Sequence, residues 1–251
     1  MRLATLALGL SAVAFATFAN AAPTVVANGG FEMLTSGPGQ LGYNTNATSW
    51  TSGDSNNPGY NFVFAAGTGD TTGSQGQYGG LSLWGPNNGS ANGLPAASPF
   101  GGNYLALDGA FDAHGNDHGT AVSQTLSGLM PGQKYAITFA WAGAQQQGFN
   151  GDTTEGVQVS FGTQTQTTAG TTVAGQLNNV SHGFTGWQKQ TFVFTAQTAN
   201  DVLSFLALGT PAGLPPFVLL DGITGTAVPE AATIGLMGLG LGLVAVARRR
   251  K

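Results

Sequence analysis

The stretch KYAITFAWA, residues 134–142, decides the fold. Tyr135, Ile137, Phe139 and Trp141 alternate with Lys134, Ala136, Thr138, Ala140 and Ala142. A period of two with one aromatic–aliphatic face is the pattern of a β-strand resting on a core. Just upstream, Leu129-Met130-Pro131-Gly132-Gln133 is a turn, because Pro presets φ and Gly tolerates the backbone that follows. Residues 120–126 predict the strand before that turn.

Together these segments resemble the "Q-x-L…L-x-P-G-x-x-Y-x-x-x-F" hairpin of bacterial β-sandwich domains, on Gln124, Leu126, Leu129, Pro131, Gly132, Tyr135 and Phe139. Working outward, strands are expected at 24–27, 60–65, 81–84, 104–108, 156–161, 187–196, 202–208 and 217–226. Turn signals such as Asn28-Gly29-Gly30 and Pro58-Gly59 separate them. The polar segment 163–172 is an edge strand or a loop. Before the tail no segment keeps a 3.6-residue period, and no long repeat is present. The expected fold class is all-β, a two-sheet β-sandwich or jelly roll, flanked by an N-terminal signal peptide and a short C-terminal hydrophobic helix.

Composition narrows the function. The 41 glycines among 251 residues raise the question of disorder, but 15 Phe, 5 Tyr and 4 Trp supply a core, so the glycines are read as turns. There are no cysteines, so stability comes from packing, with a bound ion as a further source. The body carries ten acidic side chains against Lys134 and Lys189 alone, a net charge of −8. That balance excludes nucleic-acid binding and disfavours an anionic membrane surface. Gly, Thr, Asn, Ser and Gln carry the solubility, a neutral polar surface that suits a polysaccharide-rich setting.

Both ends are addresses rather than fold. Met1-Arg2, the apolar residues 3–18 and Ala19-Asn20-Ala21 form a secretory signal peptide over 1–21, leaving a domain over 22–227. The tail, 228–251, has a polar lead-in, an uncharged run at 234–247 and the stop Arg248-Arg249-Arg250-Lys251. The 14-residue run spans about 21 Å as a helix, whereas a bilayer core is roughly 30 Å thick. Four glycines weaken it further. The basic stop is retained on the cytoplasmic side. Such a segment holds a membrane weakly, which suits later processing; a permanent short anchor is the rival reading.

Val228, Pro229 and Glu230, the Gly/Leu-rich run and the arginines Arg248, Arg249 and Arg250 resemble the PEP-CTERM sorting signal. Ala231 stands where that signal has its second Pro. The resemblance implies export by a Gram-negative bacterium that makes extracellular polysaccharide, transient contact of the tail with the membrane, and processing by an exosortase. Asn28-Gly29-Gly30-Phe31-Glu32, Trp50 and the closing Leu219-Leu220-Asp221-Gly222-Ile223 resemble the galactose-binding-like jelly rolls, which include many carbohydrate-binding modules. That resemblance implies one structural Ca²⁺ at Glu32 and Asp221, since a hard cation prefers carboxylate and carbonyl oxygens. A bond from each carboxylate to backbone amides is the alternative.

The remaining chemistry is sparse. The loop from Asp108 to His118 gathers Asp112, His114, Asn116, Asp117 and His118. Calcium would use Asp112, Asn116 and Asp117, and zinc His114 and His118; a solvated polar loop is the competing reading. No Gly-x-Ser-x-Gly elbow and no cysteine nucleophile occur. Sugar binding needs a ring face beside polar groups. Trp141, Phe192 and Phe194 fall on core faces, whereas Trp50, Tyr60, Tyr78 and Trp84 lie among Asn, Gln and Gly. The expected protein is a non-enzymatic, exported surface or matrix protein that binds glycan through Trp50, Tyr60 and Trp84. A structural or adhesive protein without a sugar ligand is the alternative, and a polysaccharide hydrolase the third reading.

Overall fold

The structure is a computed structural model that describes residues 24–92, 94, 98–168 and 176–229. The expected signal peptide, the terminal hydrophobic helix, Glu230 and the terminal arginines lie outside the described residues. Among the described residues no helix is long and apolar enough to cross a membrane.

The strands are β1 (Thr51–Ser52), β2 (Asn61–Phe64), β3 (Ser74–Gly76), β4 (Gly79–Leu81), β5 (Tyr104–Asp108), β6 (Val122–Ser127), β7 (Lys134–Gln145), β8 (Thr153–Phe161), β9 (Gln164–Thr167), β10 (Leu177–Asn179), β11 (Gln188–Thr195), β12 (Asn200–Thr210) and β13 (Pro216–Ala227). One sheet runs β1-β6-β12-β8-β10, with β9 also paired to β8. The other runs β11-β7-β13-β5-β2, and β3-β4 form a separate hairpin. All the pairings are antiparallel. This is the expected two-sheet β-sandwich.

The alternation in β7 does what its period dictates. Tyr135, Ile137, Phe139 and Trp141 enter the core between the sheets. There Phe139 meets Phe205 of the opposite sheet edge to face at 5.2 Å, and Phe161 stacks on Phe194 at 5.6 Å. Such ring pairs contribute roughly 0.5–1.5 kcal/mol beyond their buried area.

Three local expectations are corrected. Residues 120–139 are not a hairpin: β6 pairs with β1 and β12 in one sheet, β7 with β11 and β13 in the other. The Pro131-Gly132 turn therefore carries the chain across the sandwich. The Tyr135 hydroxyl accepts the Met130 amide at 3.1 Å, and Leu126 and Leu129 join Tyr135 in the core, pinning the crossover. Gly132, at φ +86°, donates its amide to Ala196. Residues 24–27 are not a regular strand. They are tied down by Val25 N–H to Gly225 O, and by Gln124, whose side chain accepts the Ala27 amide and donates to the Ala27 carbonyl. The strand expected at 81–84 is displaced: β4 is Gly79–Leu81 and shares only Leu81 with it, and Leu83 bridges separately to Gln146.

The outer face of the five-stranded sheet is also buried. Tyr60, Phe62 and Phe64, Tyr104 and Ala106, Ala142 and Ala144, and Phe217 and Leu219 form a second apolar cluster with Leu81, Leu83 and Leu94. The small residues of β7 leave room for this layer, to which Leu81, Leu83 and Leu94 contribute. Asp108 and Asp221 share the alternation of this outer face and stand at its two ends.

Candidate functional site

A pocket of about 370 Å³ opens at the Asp108 end of that outer face. Its walls are Tyr60, Tyr78, Phe111 and Phe149, with Asp108, Asp117 and Gln146 as its polar groups and Ala212, Gly213 and Pro215 along the β12–β13 loop. That volume sits at the small end of ligand cavities, roughly 300–1,000 Å³, room for a sugar unit rather than a long chain. Tyr60 is the floor, with ring centres 5.7 Å from Tyr78 and 5.6 Å from Phe111. Tyr78 is mostly exposed, and its hydroxyl donates to the Ala113 carbonyl at 3.2 Å.

Asp108 ends β5 and is 1% exposed. Its Oδ1 accepts the Ala110 amide at 2.9 Å, and its Oδ2 has no hydrogen-bond partner. Burial pushes its carboxyl up to about 8, against the Ala110 and Phe111 amides that favour the charged form. Burial, with Asp108 and Tyr78 nearby, pushes the Tyr60 hydroxyl up to about 12.

At the other end of the face, Asp221 is fully buried. Its Oδ1 accepts the Gly222 amide at 2.6 Å, and its Oδ2 accepts the Ser98 hydroxyl. Burial pushes its carboxyl up to about 6; Ser98 and Gly222 oppose that rise and the nearby Glu32 charge adds to it. Glu32 is exposed, and its Oε1 accepts the Asn103 amide at 2.9 Å. The opening motif is knotted by Asn28, at φ +48°, whose side chain bonds the Met33 amide and the Met33 and Thr48 carbonyls. Ile223 N–H to Gly29 O joins this opening to β13. Two adjacent carboxylates and a hydroxyl, with no nitrogen or sulfur among the donors, fit a hard cation. Glu32 and Asp221 are the residues that would hold it. Among the described residues no group of three or more His, Asp or Glu side chains is placed to share a metal.

The loop carrying Asp112 and Asp117 has a different role. Asp112 is buried, and its Oδ1 accepts the His114 and Asn116 amides, each at 2.8 Å. Its Oδ2 takes the Asn57 and Asn116 side-chain amides, each at 2.7 Å, with His118 Nε2 at 3.3 Å. Burial works against ionisation, but these donors outweigh it and hold the carboxyl well below the usual range. Asp112 thus organises the loop. Asp117 is exposed and faces the pocket.

The three rings expected to share a platform are dispersed. Trp50 belongs to the inner core, against Phe31 and Phe205, its indole N–H satisfied by Asn28 O at 3.0 Å. Its position is set by the core's demand for large apolar volume, so it presents no platform face. Trp84 stacks on His182 at 3.9 Å and donates to Phe149 O at 2.8 Å, which supports the pocket from behind. Of the three, only Tyr60 lines the pocket. Asp108, Phe111, Phe149 and Gln146 were not among the expected residues. The one signal for Asp108 is a lone acid closing the apolar run YLALD.

Val228 donates its amide to Lys134 O at 2.8 Å and accepts the Gln133 side chain at 2.6 Å, so the hydrogen-bonded body reaches into the tail.

The sequence matches no curated protein. Among solved structures, similarity reaches the carbohydrate-binding module TmCBM61 in complex with β-1,4-galactotriose, at 12% identity and TM-score 0.37, over 82% of this chain and 99% of that one. A CBM4 structure follows at 18% identity and TM-score 0.35, over 80% and 99%. The enzymatically active domain of tailspike protein 4 of bacteriophage CBA120 matches at 14% identity and TM-score 0.34; 82% of this chain spans 21% of that one. Scores this low transfer no ligand and no residue role. Residues 227–251 match the PEP-CTERM protein-sorting motif, which makes this chain a bacterial protein exported to the cell surface with an exosortase-type sorting signal.

Proposed function

We propose that the sandwich is a non-catalytic glycan-binding module displayed at the cell surface or in extracellular polysaccharide. The observation that carries this reading is one pocket in which aromatic rings and a buried, half-satisfied carboxylate converge. A sugar would lay its CH face on Tyr78 or Phe111, while Asp108, Asp117 and Gln146 meet its hydroxyls. Ca²⁺ at Glu32 and Asp221 would hold the opening segment to β13, remote from the sugar.

A glycan array on the purified protein, followed by titration of the hits, tests this. Binding that is lost in Tyr78→Ala and Phe111→Ala supports the pocket. A folded protein that binds no glycan leaves the structural or adhesive reading in its place. Hydrolysis has one observation in its favour: Asp108, whose carboxyl burial pushes up to about 8, and Asp117 share the pocket, a pairing of the kind acid–base catalysis uses. Release of reducing ends from polysaccharide, abolished by Asp108→Asn, would replace the non-catalytic reading.

A further inference from the structure

Resting on the glycan-binding reading of this pocket, we propose that its ligand carries a protonated amine, as an amino sugar does, and that the ammonium pairs with Asp108. Asp108 Oδ2 is buried in the pocket wall with no donor to meet it. A buried acceptor left open is costly, and an ionised one without a counter-charge more so. Among the described residues no Lys or Arg lines the pocket to supply a counter-charge. Lys189 stands on β11, the edge of the sheet opposite β2, and Lys134 starts β7 beside Thr195.

The other groups agree. Asp117 adds a second acid at the rim, and the faces of Tyr60, Tyr78 and Phe111 attract cations. The body's net charge of −8 concentrates cationic glycans and repels acidic ones. A neutral sugar would leave Asp108 a protonated acid; an ammonium displaces that proton and supplies the missing charge. The titratable groups near Asp108 are Tyr60, Tyr78 and Asp117 in the pocket, and the Asp112–His118 pair in the adjoining loop. Below the titration of the amine itself, binding therefore releases a proton.

The test is calorimetric titration of the full chain with four probes: glucosamine oligosaccharides, N-acetylglucosamine oligosaccharides of equal length, neutral glucan oligosaccharides and a lysine-rich peptide. The amine-bearing sugar is expected to bind about ten-fold tighter than its acetylated counterpart or more. That preference disappears in Asp108→Asn, weakens in the exposed Asp117→Asn, and persists in Asp54→Asn, which removes an acid outside the pocket. Affinity rises by up to about ten-fold per pH unit between about pH 5 and about pH 6.5, the signature of one released proton. Equal affinity for acetylated and amine-bearing sugars overturns the amine and leaves glycan binding standing. A preference retained in Asp108→Asn overturns the pairing, and equal binding of the lysine peptide overturns the sugar. Binding of no glycan at all overturns both readings.

Discussion

Asp108 and Asp221 are the same residue on the same face of the same sheet, yet their surroundings differ at every step. Phe217 of β13 lies opposite Asp108, so Asp221 stands one strand over and four residues further along. Burial raises both carboxyls. At Asp221 the chain closes down: Ser98 bonds one oxygen and the Gly222 amide the other. Phe100 packs where a Gly222 side chain would stand, and Gly222 sits at φ +61°. At Asp108 one oxygen is buried without a hydrogen-bond partner, and a pocket of about 370 Å³ remains beside it. Burial raises both carboxyls alike; closure or standing-off of the covering loops decides whether both oxygens find donors within the chain or one is left without any.

This contrast breaks most readily on stability. Asp221→Ala leaves Ser98 and Gly222 without their acceptor and is expected to cost about 2–4 kcal/mol in urea unfolding, whereas Asp108→Asn, a near-isosteric neutral group, costs less than about 1 kcal/mol at pH 7. The reverse order would erase the distinction between the two ends.

Next in size is the pH dependence. Glu155, buried between the sheets with its Oε2 unpartnered, is also pushed up to about 8 by burial, against the Thr153 hydroxyl. An acid raised on folding binds its proton more tightly when folded, so stability falls as pH climbs from the unfolded to the folded value. Unfolding free energy is therefore expected to drop by on the order of 1–4 kcal/mol between about pH 4.5 and about pH 8.5. Asp221 contributes below about pH 6; Asp108 and Glu155 carry the decline on to about pH 8. Asp108→Asn and Glu155→Gln each flatten the upper part. A pH-independent profile in the parent protein would contradict the buried states of all three.

Chelation separates the ends differently. With Ca²⁺ held by Glu32 and Asp221, EDTA lowers the melting temperature by several degrees; the drop vanishes in Asp221→Ala and persists in Asp108→Asn. Equal melting with and without EDTA rejects the ion. The smallest stability effect is expected at the pocket rim. Tyr78→Ala changes folding free energy by less than about 0.5 kcal/mol, since the ring is mostly exposed, while glycan affinity falls about ten-fold.

The strands of the sandwich were legible from the alternation in β7 and from short apolar runs elsewhere: 104–108 is β5 to the residue, and 217–226 lies inside β13. Their sheet partners were not. Period two says that Tyr135 and Phe139 face a core, but nothing local distinguishes a hairpin from the crossover that Pro131 and Gly132 make. The outer layer was hidden for a related reason. Its covering segment, 65–103, is rich in Gly, Ser and Asn and has no period, and Ala140, Ala142 and Ala144 look like a solvent face until Phe62, Leu83 and Phe217 are seen beside them. Tyr60 was visible as a ring in a polar setting, but the pocket also needs Asp108 with Phe111 just beyond it and Phe149 from the distant β7–β8 loop, which sequence spacing does not join. At Asp112 composition misdirected: acids and histidines clustered in sequence, while both oxygens are filled by amides of His114, Asn116 and the distant Asn57.

Val228, the second residue of the sorting motif at 227–251, is still bonded to Lys134 and Gln133. The delivery address is thus written onto the closing seam of the cargo without slack between them. An enzyme that grips Val228 has to fray the end of β13 from β7 first, whereas one that acts a few residues downstream leaves the seam sewn. Only an enzyme of the first kind would sense whether the sandwich is closed.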